Sequence, residues 1–232
     1  MNLQELFADL ATPQIADACV RLDLPMVLAP VGLKPVRPGH KIAGRVLPVR
    51  HYGSVDVFFE AFESATGGEV LVIDNGGRTD EACIGDLTVL EAQAAGLAGM
   101  LVWGLHRDSP ELLSMDVPVF SYGTCPAGPR RADAAEPEAL TSAWVGEGEV
   151  GKEHVVFADE DGAVFLRAAN VEEVLATANT ILETERNQAG LVRQGSTLRD
   201  QLRFSEYLDI RSRDATYTLR KHLRSIGGAI EE

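Results

Sequence analysis

Two short runs without a polar residue, Val70-Leu71-Val72-Ile73 and Met100-Leu101-Val102-Trp103, constrain this chain more than any other feature. A strand with one wet face alternates apolar and polar residues, whereas an unbroken apolar run belongs to a strand covered on both faces. The segment between them, from Gly85, reads as a helix opened by a glycine. A strand-helix-strand unit inside a strand-rich middle makes the chain an α/β protein.

In open α/β folds, ligands bind beyond the carboxyl ends of strands and at helix N-termini. Both positions carry candidate residues here. The loop after Trp103 holds Arg107, Asp108 and, three residues on, Glu111. A guanidinium takes a carboxylate or phosphate bidentately, and an aspartate is a hard oxygen ligand for a divalent cation. At the other end, Gly85 and the free amides of Asp86, Leu87 and Thr88 form an anion cradle at a helix start. Asp74-Asn75-Gly76-Gly77, directly after the first apolar run, is a second candidate loop. On spacing alone an Arg-Asp pair is more commonly a surface ion pair or a helix cap.

The remaining chain frames this unit. Leu3, Leu6, Phe7 and Leu10 recur at helical spacing, and Thr12-Pro13 predicts an N-cap with proline at the first position of a second helix. Lys41 to Val49 predicts a strand whose Pro48 points to an edge or a bulge. Ser54 is expected to cap a helix burying Val57, Phe58, Ala61 and Phe62. Strands are expected over Val117 to Phe120, Leu140 to Val145, His154 to Ala158 and Ala163 to Leu166, with the turn Asp159 to Gly162 joining the last two. Val174, Leu175, Ala178, Ile181 and Leu182 mark a long amphipathic helix. Two more helices are expected around Leu198 to Leu208 and Tyr217 to Ile226, the last ended by Gly227-Gly228. The stripe Leu219, Leu223, Ile226 must be covered by something.

The 232 residues suit one domain over residues 1–189 with a helical extension over residues 190–232, expected in subunit contacts. The formal charge of -14 opposes a nucleic-acid-binding surface. It is unevenly spread, because residues 190–232 carry eight basic and six acidic side chains. That mildly basic tail fits docking on an acidic surface. Three scattered cysteines, Cys19, Cys83 and Cys125, argue for reduced structural thiols. No run has the length of a membrane span and the first residues lack a signal-peptide pattern, so a cytoplasmic protein without membrane partners is expected.

The runs Gly67 to Gly77 (G-G-E-V-L-V-I-D-N-G-G), Gly85 to Leu87 (G-D-L), Gly96 to Asp108 (G-L-A-G-M-L-V-W-G-L-H-R-D) and Val117 to Phe120 (V-P-V-F) together resemble the RraA-like family, named for the regulator of ribonuclease activity A. That family includes metal-dependent aldolases of 4-hydroxy-4-methyl-2-oxoglutarate and 4-carboxy-4-hydroxy-2-oxoadipate. Ala158 to Leu166 resembles its closing hairpin, so the resemblance spans roughly residues 10–185. It implies a layered β/β/α swivelling-type domain and a homo-oligomer, a trimer or hexamer. In the aldolase branch an Arg-Asp pair is followed three residues after the Asp by an acid, which Arg107-Asp108-Ser109-Pro110-Glu111 matches. Carried over by residue, the resemblance implies Asp108 as the Mg²⁺ or Mn²⁺ ligand and Glu111 as a carboxylate supporting the metal site. Asp86 would orient a metal-bound water, and Arg107 with Gly85, Asp86, Leu87 and Thr88 would hold a 2-oxo acid.

The implied reaction is class II aldol cleavage to pyruvate with oxaloacetate decarboxylation as a side activity, Arg107 and Asp86 being the catalytic residues. The alternative is a non-catalytic regulator binding an endoribonuclease. A methyltransferase fits poorly, because Val70 to Gly77 lacks the G-x-G spacing. Trp103-Gly104-Leu105-His106 departs from the family pattern beside the pocket, and His106 reads as a loop residue near the site. Arg130 and Arg131 read as surface or interface charge.

Overall fold

The computed structural model describes residues 2–134 and 136–227. The chain opens with helices α1 (Leu3–Phe7) and α2 (Thr12–Arg21), short strands β1 (Val27–Leu28) and β2 (Lys34–Pro35), and the long strand β3 (Ile42–Arg50). Then come α3 (Asp56–Ser64), β4 (Val70–Asp74), β5 (Ala82–Ile84), α4 (Asp86–Ala94), β6 (Gly99–Trp103), β7 (Leu105–His106), α5 (Ser109–Ser114) and β8 (Val119–Ser121). Two hairpins follow, β9 (Ser142–Val145) with β10 (Gly148–Gly151), and β11 (His154–Asp159) with β12 (Gly162–Arg167). The chain closes with α6 (Val171–Arg193), α7 (Leu198–Gln201), α8 (Phe204–Arg213) and α9 (Leu219–Ile226).

The main sheet has the order β1-β12-β11-β3-β4-β6-β8-β2. Strands β3, β4, β6 and β8 are mutually parallel, and antiparallel strands finish both sides. The alternation of the pleat decides where each apolar run goes. Leu71 and Ile73 of β4, with Met100 and Val102 of β6, enter a core shared with Val57 and Phe58 of α3 and Val89 of α4. Their neighbours Val70, Val72 and Leu101 enter an opposite core closed by Ala143, Val145 and Val150 of the β9–β10 hairpin. A third core seats α1, α2 and α6 on Val155, Phe157, Val164 and Leu166. Helices, curled sheet and β-hairpin thus form the layered α/β arrangement expected, with the C-terminal helices beyond it.

Several local expectations change in three dimensions. Thr12 is not an N-cap but the first residue of α2. Its amide and hydroxyl both donate to the Asp159 carboxylate, at 2.8 and 2.7 Å, so the helix start is capped from β11. β3 is interior to the sheet, yet at Pro48 it pairs with β4 alone and is a local edge, as expected. Two residues on, the Arg50 amide points away from β4 to the Ala139 carbonyl, and β11 pairs with β3 only up to Arg45. The missing N–H of Pro48 therefore faces a side without a ladder. Ser54 does not cap α3, whose N-cap is Val55. The expected helix over Leu198 to Leu208 is split at Arg203, which has a left-handed φ of 50°.

The tail covers part of its own apolar stripe. Leu223 and His222 are buried, and the His222 ring packs by Tyr207 and Tyr217 while its Nε2 bonds the Leu202 carbonyl at 2.9 Å. Helix α6 continues through Gly190 to Arg193. Gly227 ends α9 with a φ of 65°, and Gly228 lies outside the described residues.

The buried Asp159 carboxylate also accepts from the Asp161 amide at 3.0 Å, so one side chain ties α2 to the β11–β12 turn. Asp159→Ala is expected to cost about 3 kcal/mol in urea unfolding, because it leaves buried donors unpaired. Thr12→Val, which keeps the backbone bond, is expected to cost less.

Candidate active site

Parallel strands end on the same side, so Asp74 of β4 and Trp103 of β6 stand together on one rim. The turn after β4 is tied to β6 by the amides of Asn75 and Gly77, which both donate to the Trp103 carbonyl at 3.1 Å. Gly77 adopts a φ of 63°, and a Cβ there would stand 2.6 Å from the Trp103 ring. Both facts require glycine.

Beyond Trp103 the chain leaves the main sheet, and β7 pairs with β5 instead. The Arg107 amide donates to the Ile84 carbonyl at 3.0 Å, which brings Arg107 and Asp108 against Gly85. Asp108 caps α5 in the left-handed region, with a φ of 59°, and its carboxylate makes no capping bond. Its Oδ2 instead lies where a Cβ on residue 85 would approach to 2.2 Å. Gly85 is therefore needed for close approach, its φ of -145° being open to any residue.

Arg107 Nε lies 3.5 Å from Asp108 Oδ2, and the two side chains are 49% and 38% exposed. An ion pair this open contributes about 0–1 kcal/mol, so stability does not account for the arrangement. The far side of the Arg107 guanidinium rests on Gly128, where a Cβ would be 2.9 Å from Nη1. Asp86 opens α4 and its Oδ1 accepts from the Leu87 amide at 2.7 Å. First-turn amides such as those of Asp86 and Thr88 have no acceptor within the helix. Glu111 is exposed in the first turn of α5. The structure thus joins Gly85, Arg107 and Asp108 directly, with Asp86 adjoining and Glu111 outermost.

His106 is a buried strand residue, not a loop residue. Its Nδ1 pairs with Ser121 Oγ at 2.6 Å and its Nε2 with Ser109 Oγ at 3.1 Å, and burial lowers its pKa. Cys83 is fully enclosed, and burial pushes its thiol up to about 12, so it is inert.

Arg131 overturns its reading as surface charge. It donates to Glu81 Oε1 at 3.0 Å, Asp133 Oδ2 at 2.6 Å, the His51 carbonyl at 3.0 Å and Asn75 Oδ1 at 2.9 Å. Glu81, His51 and Asn75 are all buried. Asn75 Oδ1 also lies 2.8 Å from His51 Nδ1, which places the ring proton on Nδ1. This network pins the loop from Pro126 to Arg131, and with it Gly128 under Arg107, to the turn after β4. Glu81, an acid directly before the apolar run Ala82-Cys83-Ile84, was the one sequence signal that could have pointed to it. Arg130 is exposed.

The chain matches the RraA-like family, described as Aldolase/RraA, over residues 12–165, and it belongs to that family. A protein of Bacillus anthracis, provisionally named a 4-hydroxy-4-methyl-2-oxoglutarate aldolase, is 33% identical over 45% of this chain and 65% of its own length. One of Vibrio parahaemolyticus with the same provisional name is 29% identical over 54% of this chain and 78% of its own. The crystal structure of Streptomyces coelicolor RraAS2, described as an unusual member of the RNase ES inhibitor RraA family, superposes with a TM-score of 0.66 at 23% identity, covering 79% of this chain and 94% of that one. No helix among the described residues is long and apolar enough to cross a membrane.

Two outcomes are expected from the buried groups. Arg131→Met is expected to cost about 3 kcal/mol in chemical denaturation, since it leaves the buried Glu81 carboxylate with only the longer 3.5 Å contact to Arg78 Nε. Burial lowers the pKa of His51, His106 and His40. The unfolded chain then takes up protons first, so stability is full above about pH 6.5, the unfolded value, and is lost as pH falls from there through the lowered folded values. Urea midpoints measured from about pH 8 to pH 5 are expected to decline on the acid side, and less so in His51→Gln.

Proposed function

We propose that this protein is a divalent-metal-dependent class II aldolase. Its substrate would be a 4-hydroxy-2-oxo acid of the 4-hydroxy-4-methyl-2-oxoglutarate or 4-carboxy-4-hydroxy-2-oxoadipate type, cleaved to pyruvate. The observation that carries this reading is the Asp108 carboxylate, free of capping duty, seated on Gly85 beside a half-exposed Arg107. The names of the bacterial relatives support it.

Asp108 would hold Mg²⁺ or Mn²⁺, with Asp86 orienting a water and Glu111 supporting the site from α5. The donor set fits: Asp108 offers a hard carboxylate oxygen that makes no capping bond, and these ions accept one or two protein carboxylates and fill their shells with water and ligand oxygens. When bound, the metal would polarise the oxo group of the substrate. Arg107 binds the substrate carboxylate bidentately, and the first-turn amides of α4 face the same anion. The 4-hydroxyl proton would pass to the water held by Asp86, with the Asp86 carboxylate taking a proton from that water in turn. The C3–C4 bond then breaks, the carbonyl fragment leaves, and the electron pair forms pyruvate enolate, which takes a proton at C3. Arg107 stabilises the charge as it develops. Oxaloacetate losing CO₂ gives the same enolate, so its decarboxylation is a side activity of this site.

Leu87 and Leu90 of α4 and Leu113 of α5 are exposed around the site. With the extension from residue 190, they are the surface we assign to subunit contacts in a trimer or hexamer. The second reading, a regulator of an endoribonuclease, draws on the Streptomyces neighbour and its description as a member of an RNase inhibitor family. A protein-binding role has no use for an open carboxylate at Asp108, and calorimetric titration with Mg²⁺ separates the two.

A panel of 4-hydroxy-2-oxo acids and oxaloacetate, assayed with Mg²⁺, is expected to yield pyruvate. Asp108→Ala should abolish release, and Arg107→Gln should lower kcat by about 10²–10³-fold. Full activity of Asp108→Ala in the presence of a chelator would sink this assignment.

A further inference from the structure

Both tryptophans of the chain, Trp103 and Trp144, line one open cavity of about 830 Å³ at the rim where β4 and β6 end. That volume lies within the range of small-molecule sites. Asp74 and Glu147 are its charged residues, and among the described residues no Lys, Arg or His lines it. Arg107, Asp108 and Gly85 are not part of it, so a ligand bound there does not depend on the aldolase reading.

The walls are held in place. The Trp103 ring packs on Gly77 and meets Tyr122 edge-on at 4.7 Å. Asp74 is fixed from two sides, its Oδ1 accepting from the Gly76 amide at 2.8 Å and its Oδ2 from the Trp144 amide at 3.0 Å. Those bonds leave each oxygen a further acceptor direction. Trp144 remains 41% exposed on β9. Among the described residues, side-chain cations cover Phe7 and Tyr207 but neither indole.

Indole faces attract cations through the ring quadrupole, most strongly where a carboxylate supplies the counter-charge and water is partly excluded. We propose that this cavity binds a small organic ammonium ion, a methylated amine, between Trp103 and Trp144 with Asp74 and Glu147 as its counter-charges. An oxo acid is repelled here by the two carboxylates, so the rim carries neighbouring sites of opposite preference, cationic at Trp103 and anionic at Arg107.

The site reports on itself, because every tryptophan of the protein lines it. Tetramethylammonium chloride titrated into the full-length protein at constant ionic strength is expected to change the tryptophan emission saturably, whereas sodium chloride is not. Choline is expected to do the same, and its uncharged isostere 3,3-dimethylbutan-1-ol is not. Glu147→Gln alters an exposed side chain and Asp74→Asn keeps both fluorophores; each is expected to weaken binding by about tenfold. Thermal unfolding of each variant checks that the fold is intact. No saturable change, equal binding of the neutral isostere, or unchanged affinity in a folded Glu147→Gln protein overturns the proposal.

Discussion

Burial of β4 and β6 on both faces is the constraint on which the rest of the structure depends. Leu71 and Ile73 need cover on one side, Val70 and Val72 on the other. Cover comes from α3 and α4 on one face and from the β9–β10 hairpin on the other. Once both faces are closed, the backbone open to a ligand near these strands lies in the turns at their ends and at the start of α4. The turn after Asp74 and the short turn at Arg107 and Asp108, reached through β7, lie there.

The candidate site depends on two close approaches at glycines, the tighter of them at Gly85. Gly85 lets the Asp108 carboxylate come against the start of α4, and Gly128 lets the Arg107 guanidinium lie along its loop. Each approach is maintained from elsewhere. The β5–β7 ladder brings residues 105–107 alongside residues 82–84. Arg131 anchors the Gly128 loop through Glu81 and Asn75. A partly exposed acid-base pair thus rests on a buried charged network, so orientation at the rim is supplied by rigidity beneath it.

Legibility from sequence followed the range of the interaction. The two apolar runs, the helix opened at Gly85, the β11–β12 hairpin and the helices α6 and α9 were readable because their patterns are local. The errors at Thr12 and Ser54 are also local residues, but the first was decided by a distant partner, whereas Pro48 does lie at a local edge of β3. Asp159 took the helix cap that Thr12 was expected to supply, and β11 stops pairing with β3 before Pro48 is reached. Of the site, Arg107, Asp108 and Gly85 were legible, whereas the role of Arg131 was not. Its partners lie at positions 51, 75, 81 and 133, and nothing in their spacing announces that they meet.

The sequence by itself determined the α/β class, the family and the chemical types of the residues on the rim, because periodicity, glycine placement and the Arg-Asp motif are properties of neighbouring residues. Only the tertiary structure decided which of them touch. It turned His106 inward onto two serines, made Arg131 an anchor, and brought Trp103 and Trp144, the latter from a separate hairpin, to one cavity. The physical reason is that burial of the two central strands selects one packing of the layers, and that packing, not spacing along the chain, sets every long-range distance.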